Sequence, residues 1–219
     1  MSEKNKIFIV DDHPLVREWL ANLINQQRDL VVCGEADDKA SAMKEIVAKK
    51  PDLAVVDLSL KSGSGIELIK DIKCVLPDVL VIVLSMHDEM QYAERALRAG
   101  ARGYIMKRDS TKNIIAAIRQ VLGGKPFVSE HVTAMMAEKF MSGESGSDDS
   151  PETILSDREL EIFQLLGQGH ETRKIAESLH ISVKTVQAYC ARIKDKMHLA
   201  NATELLCEAV RAVERRNRF

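Results

Sequence analysis

The chain has 219 residues, of which 45% are hydrophobic and 29% charged, with a net charge of −2; this is the balance of a globular protein in water, long enough for one large domain or two small ones. No run is apolar for the length of a membrane span, and MSEKNKIFIVDDH has no apolar core of the kind that marks a secretory signal. Cys33, Cys74, Cys190 and Cys207 form no CxxC pair, which argues against a zinc site or disulfide framework and fits a reducing cytoplasm.

The first 122 residues alternate strand-like and helix-like segments. Lys6–Val10 reads as a strand running into Asp11-Asp12. Pro14 then opens a helix with Leu15, Trp19, Leu20, Leu23 and Ile24 on one face. Leu30–Cys33 is a second strand and Lys39–Lys49 a helix, with Ala42, Met43, Ile46 and Val47 inward. Leu53–Val56 is a third strand ending at Asp57. A capping box at Ser64 and Glu67 opens the next helix. Val79–Leu84 is apolar throughout, as a parallel strand covered on both faces must be. Glu89–Arg98 is a helix closed by Gly100. Gly103–Met106 is a fifth strand, and Thr111–Leu122 a helix with Ile114, Ile115, Ile118 and Val121 inward. Five strands each followed by a helix predict a doubly wound parallel sheet, with the strand C-termini along one edge. Residues 125–150 read as a linker with room for one helix, its end (residues 142–150) small, polar and aperiodic. Domains at 1–124 and 151–219 follow. The first 150 residues hold 20 Lys+Arg against 23 Asp+Glu, and the remainder 11 against 10, too small a bias to indicate nucleic acid by itself.

At the strand ends lie Asp11-Asp12, Asp57, Ser85 and Lys107. Each has an ordinary reading when taken singly: a turn or helix cap for the aspartates and Ser85, a surface charge for Lys107. Together, at four strand C-termini of one domain, they describe a ligand site of the kind open α/β sheets carry there. Crowded carboxylates repel unless neutralised. Mg²⁺, a hard cation held by carboxylates, water and phosphate, is the expected partner. The set suits phosphoryl transfer onto Asp57, with Lys107 and Ser85 on the remaining phosphoryl oxygens.

These residues resemble the receiver domain of bacterial two-component response regulators. The matching stretches in residues 6–122 are IVDDHPLVR, PDLAVVDLSLKSGSGIEL, VIVLSMHDE and ALRAGARGYIMK. The resemblance implies a flavodoxin-like fold and a phosphoryl group taken from a histidine kinase. It implies Asp57 as phosphoacceptor and Asp11, Asp12, Asp57 and the Ser59 carbonyl as metal ligands. Lys107 and Ser85 then act on the phosphoryl group, Ser85 and Tyr104 form a switch, and Ser59 and His87 tune dephosphorylation. Lys61 stands where that family usually has proline, which bears on the rigidity of the loop.

Beyond residue 150 the pattern is wholly helical. Ser156-Asp-Arg-Glu159 is a capping box before an apolar face of Leu160, Ile162, Phe163, Leu165 and Leu166, ended by Gly167 and Gly169. Glu171–Leu179 is a second helix and His180-Ile181 a short turn. Ser182 caps a third helix running to about Met197, and Asn201 caps a fourth with Leu205, Leu206, Ala209 and Val213 inward. Two short helices across a tight turn have helix-turn-helix geometry. On the third helix, Lys184, Gln187, Ala188 and Ala191 share a side without large apolar residues, while Val186, Tyr189 and Ile193 can face a core. Arg192, Lys194 and Lys196 could meet phosphates, and Thr185 sits at the helix start beside Lys184. The plainer reading is a helical bundle with a solvated polar face.

The motifs LSDRELEIFQLLGQG, KIAESLHISVKTVQ and IKDKM resemble the LuxR-type output domain of the NarL/FixJ class of response regulators, over roughly residues 154–213. That implies promoter DNA as partner, a homodimer when phosphorylated, and no turnover of substrate beyond the chain's own phosphorylation and dephosphorylation. Tyr189 replaces a usual histidine, Gln187 and Ala191 replace commonly basic or polar residues, and Ala202 replaces a usual arginine, which points to altered base recognition. Two rivals remain at this level: a phosphorylation-independent dimeric regulator that uses the receiver only as a dimerisation module, and a metal-dependent phosphatase.

Overall fold

The computed structural model describes residues 4–60, 63–142, 151–179 and 181–216. It divides the chain into two compact units, Met1–Gly143 and Glu144–Phe219. Lys61 and His180 lie outside the described residues, as do residues 143–150 of the expected linker.

In the first unit, β1 (Asn5–Val10), β2 (Leu30–Ala36), β3 (Leu53–Val56), β4 (Leu80–Ser85) and β5 (Gly103–Met106) form one parallel sheet in the order β2-β1-β3-β4-β5. Strands β1, β3 and β4 lie inside the sheet, so both their faces are covered, and Ile7–Val10 and Leu53–Val56 are at most 1% exposed. α1 (Pro14–Asn25) and α5 (Ser110–Leu122) cover one face, built on Ile7, Ile9, Val55, Ile82 and Ile118. α2 (Lys39–Lys49), α3 (Gly65–Val75) and α4 (Glu89–Ala99) cover the other, built on Phe8, Val56, Val81, Ile69 and Ala96. Alternation along each strand sends successive side chains to opposite layers.

Two assignments of inward residues and one capping box are corrected. Leu15 is 80% exposed in the first turn of α1, at the margin of the apolar stripe, while Leu20, Ala21 and Ile24 make the buried face. Val47 is 40% exposed beside buried Ala42 and Ile46. At α3, Ser64 Oγ accepts from the Ile66 N–H at 3.2 Å, but Glu67 pairs with Lys39 at 3.3 Å instead of turning back to complete a box. Lys39 also meets Asp71 at 2.9 Å, so the nearby cation has drawn the carboxylate outward.

The chain after α5 stays with the first unit. Phe127 pairs with Gly103 along the free edge of β5, and α6 (Glu130–Ser142) packs beside α4, with Val132 fully buried. The sequence left room for one helix in this linker without showing that it was docked.

The second unit holds a short α7 (Pro151–Ile154), then α8 (Asp157–Gly167), α9 (Thr172–Ser178), α10 (Val183–Lys196) and α11 (Ala202–Arg216). Leu155, Leu160, Phe163, Ile175, Val186, Ile193, Leu205 and Ala209 fill its core. The caps form as the sequence predicts. Glu159 Oε2 accepts from the Ser156 N–H at 2.8 Å, Ser182 Oγ from the Thr185 N–H at 3.0 Å, and Asn201 Oδ1 from the Glu204 N–H at 3.0 Å. Leu206 is 46% exposed, a further correction, since one helical turn of α11 puts Leu205 and Ala209 against α8 and leaves its neighbour outside. Among the described residues, no helix is long and apolar enough to cross a membrane.

Candidate functional site

The sheet order sets the site. From β1 the chain crosses to β2 on one side, while β3 lies on the other, and this reversal opens a crevice at the strand C-termini. Val10 and Val56 are paired in register, and the Asp57 N–H donates to the Val10 carbonyl at 2.8 Å. The residues that follow, Asp11 and Asp57, are therefore neighbours. Gly65 closes the back of the loop: its N–H donates to the Leu58 carbonyl at 2.9 Å, and a Cβ there would run into the Asp57 carbonyl oxygen.

The acidic side chains are buried, with Asp11 and Asp57 each 2% exposed and Asp12 9%. Asp11, Asp12, His13 and Asp57 each present a ligand atom within 4.8 Å of the others. Lys107 reaches between two of them, its Nζ lying 2.6 Å from Asp57 Oδ2 and 2.7 Å from Asp11 Oδ2. Burial pushes the Asp57 carboxyl up from 3.8 to about 6; Lys107 opposes this, and the charge of Asp11 adds to it. Burial works against the Lys107 ammonium too, but Asp57 and Asp11 outweigh it and hold its pKa above the usual lysine value. One lysine thus answers two of three carboxylates.

The remaining groups fit a hard cation. Asp12 Oδ1 is buried and accepts no hydrogen bond, although His13 Nδ1 stands 2.7 Å from it. A buried carboxylate oxygen without a donor is costly unless a positive partner completes it. His13 is the part of this corner that periodicity did not single out. Its N–H donates to Asp11 Oδ1 at 2.9 Å, so Asp11 also fixes the turn into α1. Arg17 NH1 donates to the Asp11 carbonyl at 2.6 Å.

On the other side of Asp57 lies a second set of contacts. The Ser59 N–H approaches Asp57 Oδ1 at 3.4 Å, and Ser59 Oγ is 2.8 Å from His87 Nε2. The His87 N–H donates to Ser85 Oγ at 3.2 Å, and the His87 carbonyl accepts from Tyr104 OH at 3.0 Å. The His87 ring rests against Tyr92 of α4, centroids 4.6 Å apart. Tyr104 is 2% exposed, and burial holds its hydroxyl protonated well above the usual range. The strand-end residues Asp57, Ser85 and Tyr104 are thereby joined through His87, which the sequence offered only by family resemblance.

In the second unit, α10 divides as its periodicity requires. Val186 and Ile193 are fully buried and Tyr189 is half-buried, while Lys184, Gln187, Ala188, Ala191 and Arg192 are exposed. Arg192 stacks over the Tyr189 ring at 5.0 Å, which explains how tyrosine is accommodated there. Thr185 is tied to the Ser182 cap, with its Oγ1 2.8 Å from Ser182 Oγ. Lys194 is half-buried at the flank of the exposed face. Lys196 is engaged elsewhere: its Nζ pairs at 2.7 Å with Glu159, which is 3% exposed. The exposed face is small at its centre (Ala188, Ala191) and polar or basic around it.

Two family profiles match the chain: the response regulator receiver domain over residues 7–119, and bacterial regulatory proteins of the luxR family over residues 153–209. The chain is similar to the oxygen regulatory protein NreC of Staphylococcus epidermidis, 35% identical over 92% of this chain and 94% of that protein. The NreC of Staphylococcus aureus is 36% identical with the same coverage. Among solved structures, a LuxR-family two-component response regulator from Aurantimonas is 31% identical over 64% of this chain and 99% of its own, with TM-score 0.59. RcsB of Salmonella enterica serovar Typhimurium, bound to promoter rprA in the presence of phosphomimetic BeF3−, is 27% identical over 93% of this chain and 97% of its own, with TM-score 0.57.

Proposed function

The chain belongs to the bacterial two-component response regulators that carry a LuxR-type DNA-binding domain, a family of transcription regulators, and on that premise we propose that Asp57 accepts a phosphoryl group from a histidine kinase and thereby controls binding of α10 to promoter DNA. The observation that carries this reading is the pairing of a buried, strained carboxylate with one ammonium that it shares with Asp11.

In the transfer, an Asp57 oxygen forms the new O–P bond as the P–N bond to the kinase histidine breaks, and the imidazole leaves with that bond's electron pair. Asp11, Asp12, Asp57 and the Ser59 carbonyl would hold Mg²⁺, which supplies positive charge against the developing phosphoryl oxygens. Lys107 is already poised beside Asp57 and needs no reorganisation to meet a phosphoryl oxygen. Ser85, fully buried, supplies a hydroxyl to another. Ser59 and His87, bonded to each other beside Asp57, bear on access of the hydrolytic water. Phosphorylation promotes a homodimer, and α10 then enters the major groove with Lys184, Gln187, Ala188 and Ala191 toward the bases and Arg192 and Lys194 toward phosphates. Thr185 is nearer the backbone-contact role than base reading, because its hydroxyl is occupied by the cap. Lys196 makes its main contact with Glu159 and would contribute less to DNA than its position promises.

Incubation with acetyl phosphate and Mg²⁺ followed by intact-mass measurement tests the site. Wild type should gain one phosphoryl mass and Asp57→Ala none. Equal gains would remove Asp57 from the role. Promoter-fragment binding with and without beryllofluoride separates phosphorylation control from a constitutive dimeric regulator, for which the two measurements would agree.

A further inference from the structure

The segment after α5 does not leave the first unit. It runs along the exposed edge of β5, where the Phe127 N–H donates to the Arg102 carbonyl at 2.9 Å and the Tyr104 N–H donates to the Phe127 carbonyl at 2.9 Å. Ser129 Oγ then donates to Glu89 Oε1 at 2.8 Å, at the first turn of α4. Val132 of α6 is fully buried in the same core cluster as Tyr92, Ala93, Ala96 and Tyr104. An edge strand and a helix face that would otherwise be open are closed by residues 126–142 of the same chain.

We propose that residues 126–142 are a docked arm whose hold on β5 and α4 is set by Asp57 through His87 and Tyr104; this rests on the reading of Asp57 as the phosphoacceptor. The links are continuous. Ser85 Oγ accepts from the His87 N–H, the His87 carbonyl accepts from Tyr104 OH, and the Tyr104 N–H holds Phe127. Asp88, beside His87, caps α4 with its side chain on the Met90 N–H at 2.8 Å, and Glu89 follows it to Ser129. When Ser85 turns to a phosphoryl oxygen, the His87 N–H loses its acceptor and the 86–88 turn shifts. The start of α4 moves with that turn, the Glu89–Ser129 bond opens, and the arm loosens.

The test uses hydrogen exchange of the full chain, read by mass spectrometry, with and without beryllofluoride and Mg²⁺, alongside the acetyl phosphate mass gain. In wild type, the amides of Phe127 and of α6 should exchange roughly tenfold faster in the beryllofluoride form, an effect within the usual span of coupling energies. Tyr104→Phe keeps the buried ring but removes the hydroxyl's bonds to His87 and Ser85, and should cut that acceleration to about twofold or less. Ser129→Ala should exchange fast in both forms while still gaining the phosphoryl mass. A wild type that gains the mass while its arm exchange is unchanged or slower would overturn the arm and leave the Asp57 reading standing. A Tyr104→Phe response equal to wild type would overturn the route. No mass gain on wild type would overturn the Asp57 reading and the arm with it.

Discussion

Asp57 and Lys184 are both polar residues next to the end of a regular element, yet they sit in opposite surroundings. Asp57 is 2% exposed, held by Lys107 and Ser59 and crowded by Asp11. Lys184 stands in solvent on the first turn of α10. Chemistry on a carboxylate needs an environment that water cannot screen, and such an environment must be built from several strands at once. Recognition of a long charged polymer needs reach and exposure, which one helix provides. The first site is fixed by its neighbours, whereas the second is fixed by whatever approaches it.

Replacing Lys107 would break that contrast most sharply. Lys107→Met should slow phosphorylation of Asp57 by on the order of 10²–10³-fold, because a preplaced charge is lost in a buried site. The time course of mass gain with acetyl phosphate measures it. A change of less than tenfold would mean that the site does not depend on its preformed charge.

Asp57→Asn tests the strain directly. A carboxyl raised from 3.8 to about 6 costs the folded state nothing below pH 4 and its full amount above pH 6. The variant should therefore be more stable than wild type by about 1–3 kcal/mol at pH 7, with the gain fading between pH 6 and pH 4. Thermal melts across that range, with chelator present, give the result. A loss of stability at pH 7 would show that the Lys107 pair outweighs burial.

On the exposed side, Lys184→Ala should weaken binding to the preferred promoter sequence by about 1–3 kcal/mol and to unrelated DNA by less, as measured on matched fragments at one salt concentration. An equal loss on all sequences, with the salt slope reduced by about one, would move Lys184 from base reading to phosphate contact.

Glu159 sharpens the comparison from within the second unit. Burial pushes its carboxyl up, but the hydrogen bonds from Lys196 and Ser156 outweigh this and leave it below the usual value of 4.5. Its contribution is complete above that value and disappears as pH falls through the lowered folded pKa. Glu159→Gln should cost about 1 kcal/mol at neutral pH, since Lys196 is partly exposed and the pair is screened. Chemical denaturation at neutral and acid pH checks both the size and the sign.

The strand ends were readable because parallel crossovers bring them to one edge whatever the helices contain. That logic predicted Asp11, Asp12, Asp57, Ser85 and Lys107 as neighbours, and Asp11, Asp12, Asp57 and Lys107 do meet. It did not expose His87 as the joint between Ser59, Ser85 and Tyr104, because three of its contacts use its backbone or stacking and leave no periodic trace. Leu15, Val47 and Leu206 were misplaced for a related reason. A 3.6-residue stripe is wider than the strip of helix that a neighbour covers, so residues at its margin turn outward.

Taken by itself, the sequence determined the strand and helix order, the caps at Ser156, Ser182 and Asn201, and the carboxylates brought to one edge, because each depends on local spacing or on a connection rule. Only the tertiary structure decided that Lys107 is shared between Asp57 and Asp11, that Lys196 is spent on Glu159, and that residues 126–142 are docked on β5 and α4. Those are choices among partners distant in sequence, and distance and burial settle them, not periodicity.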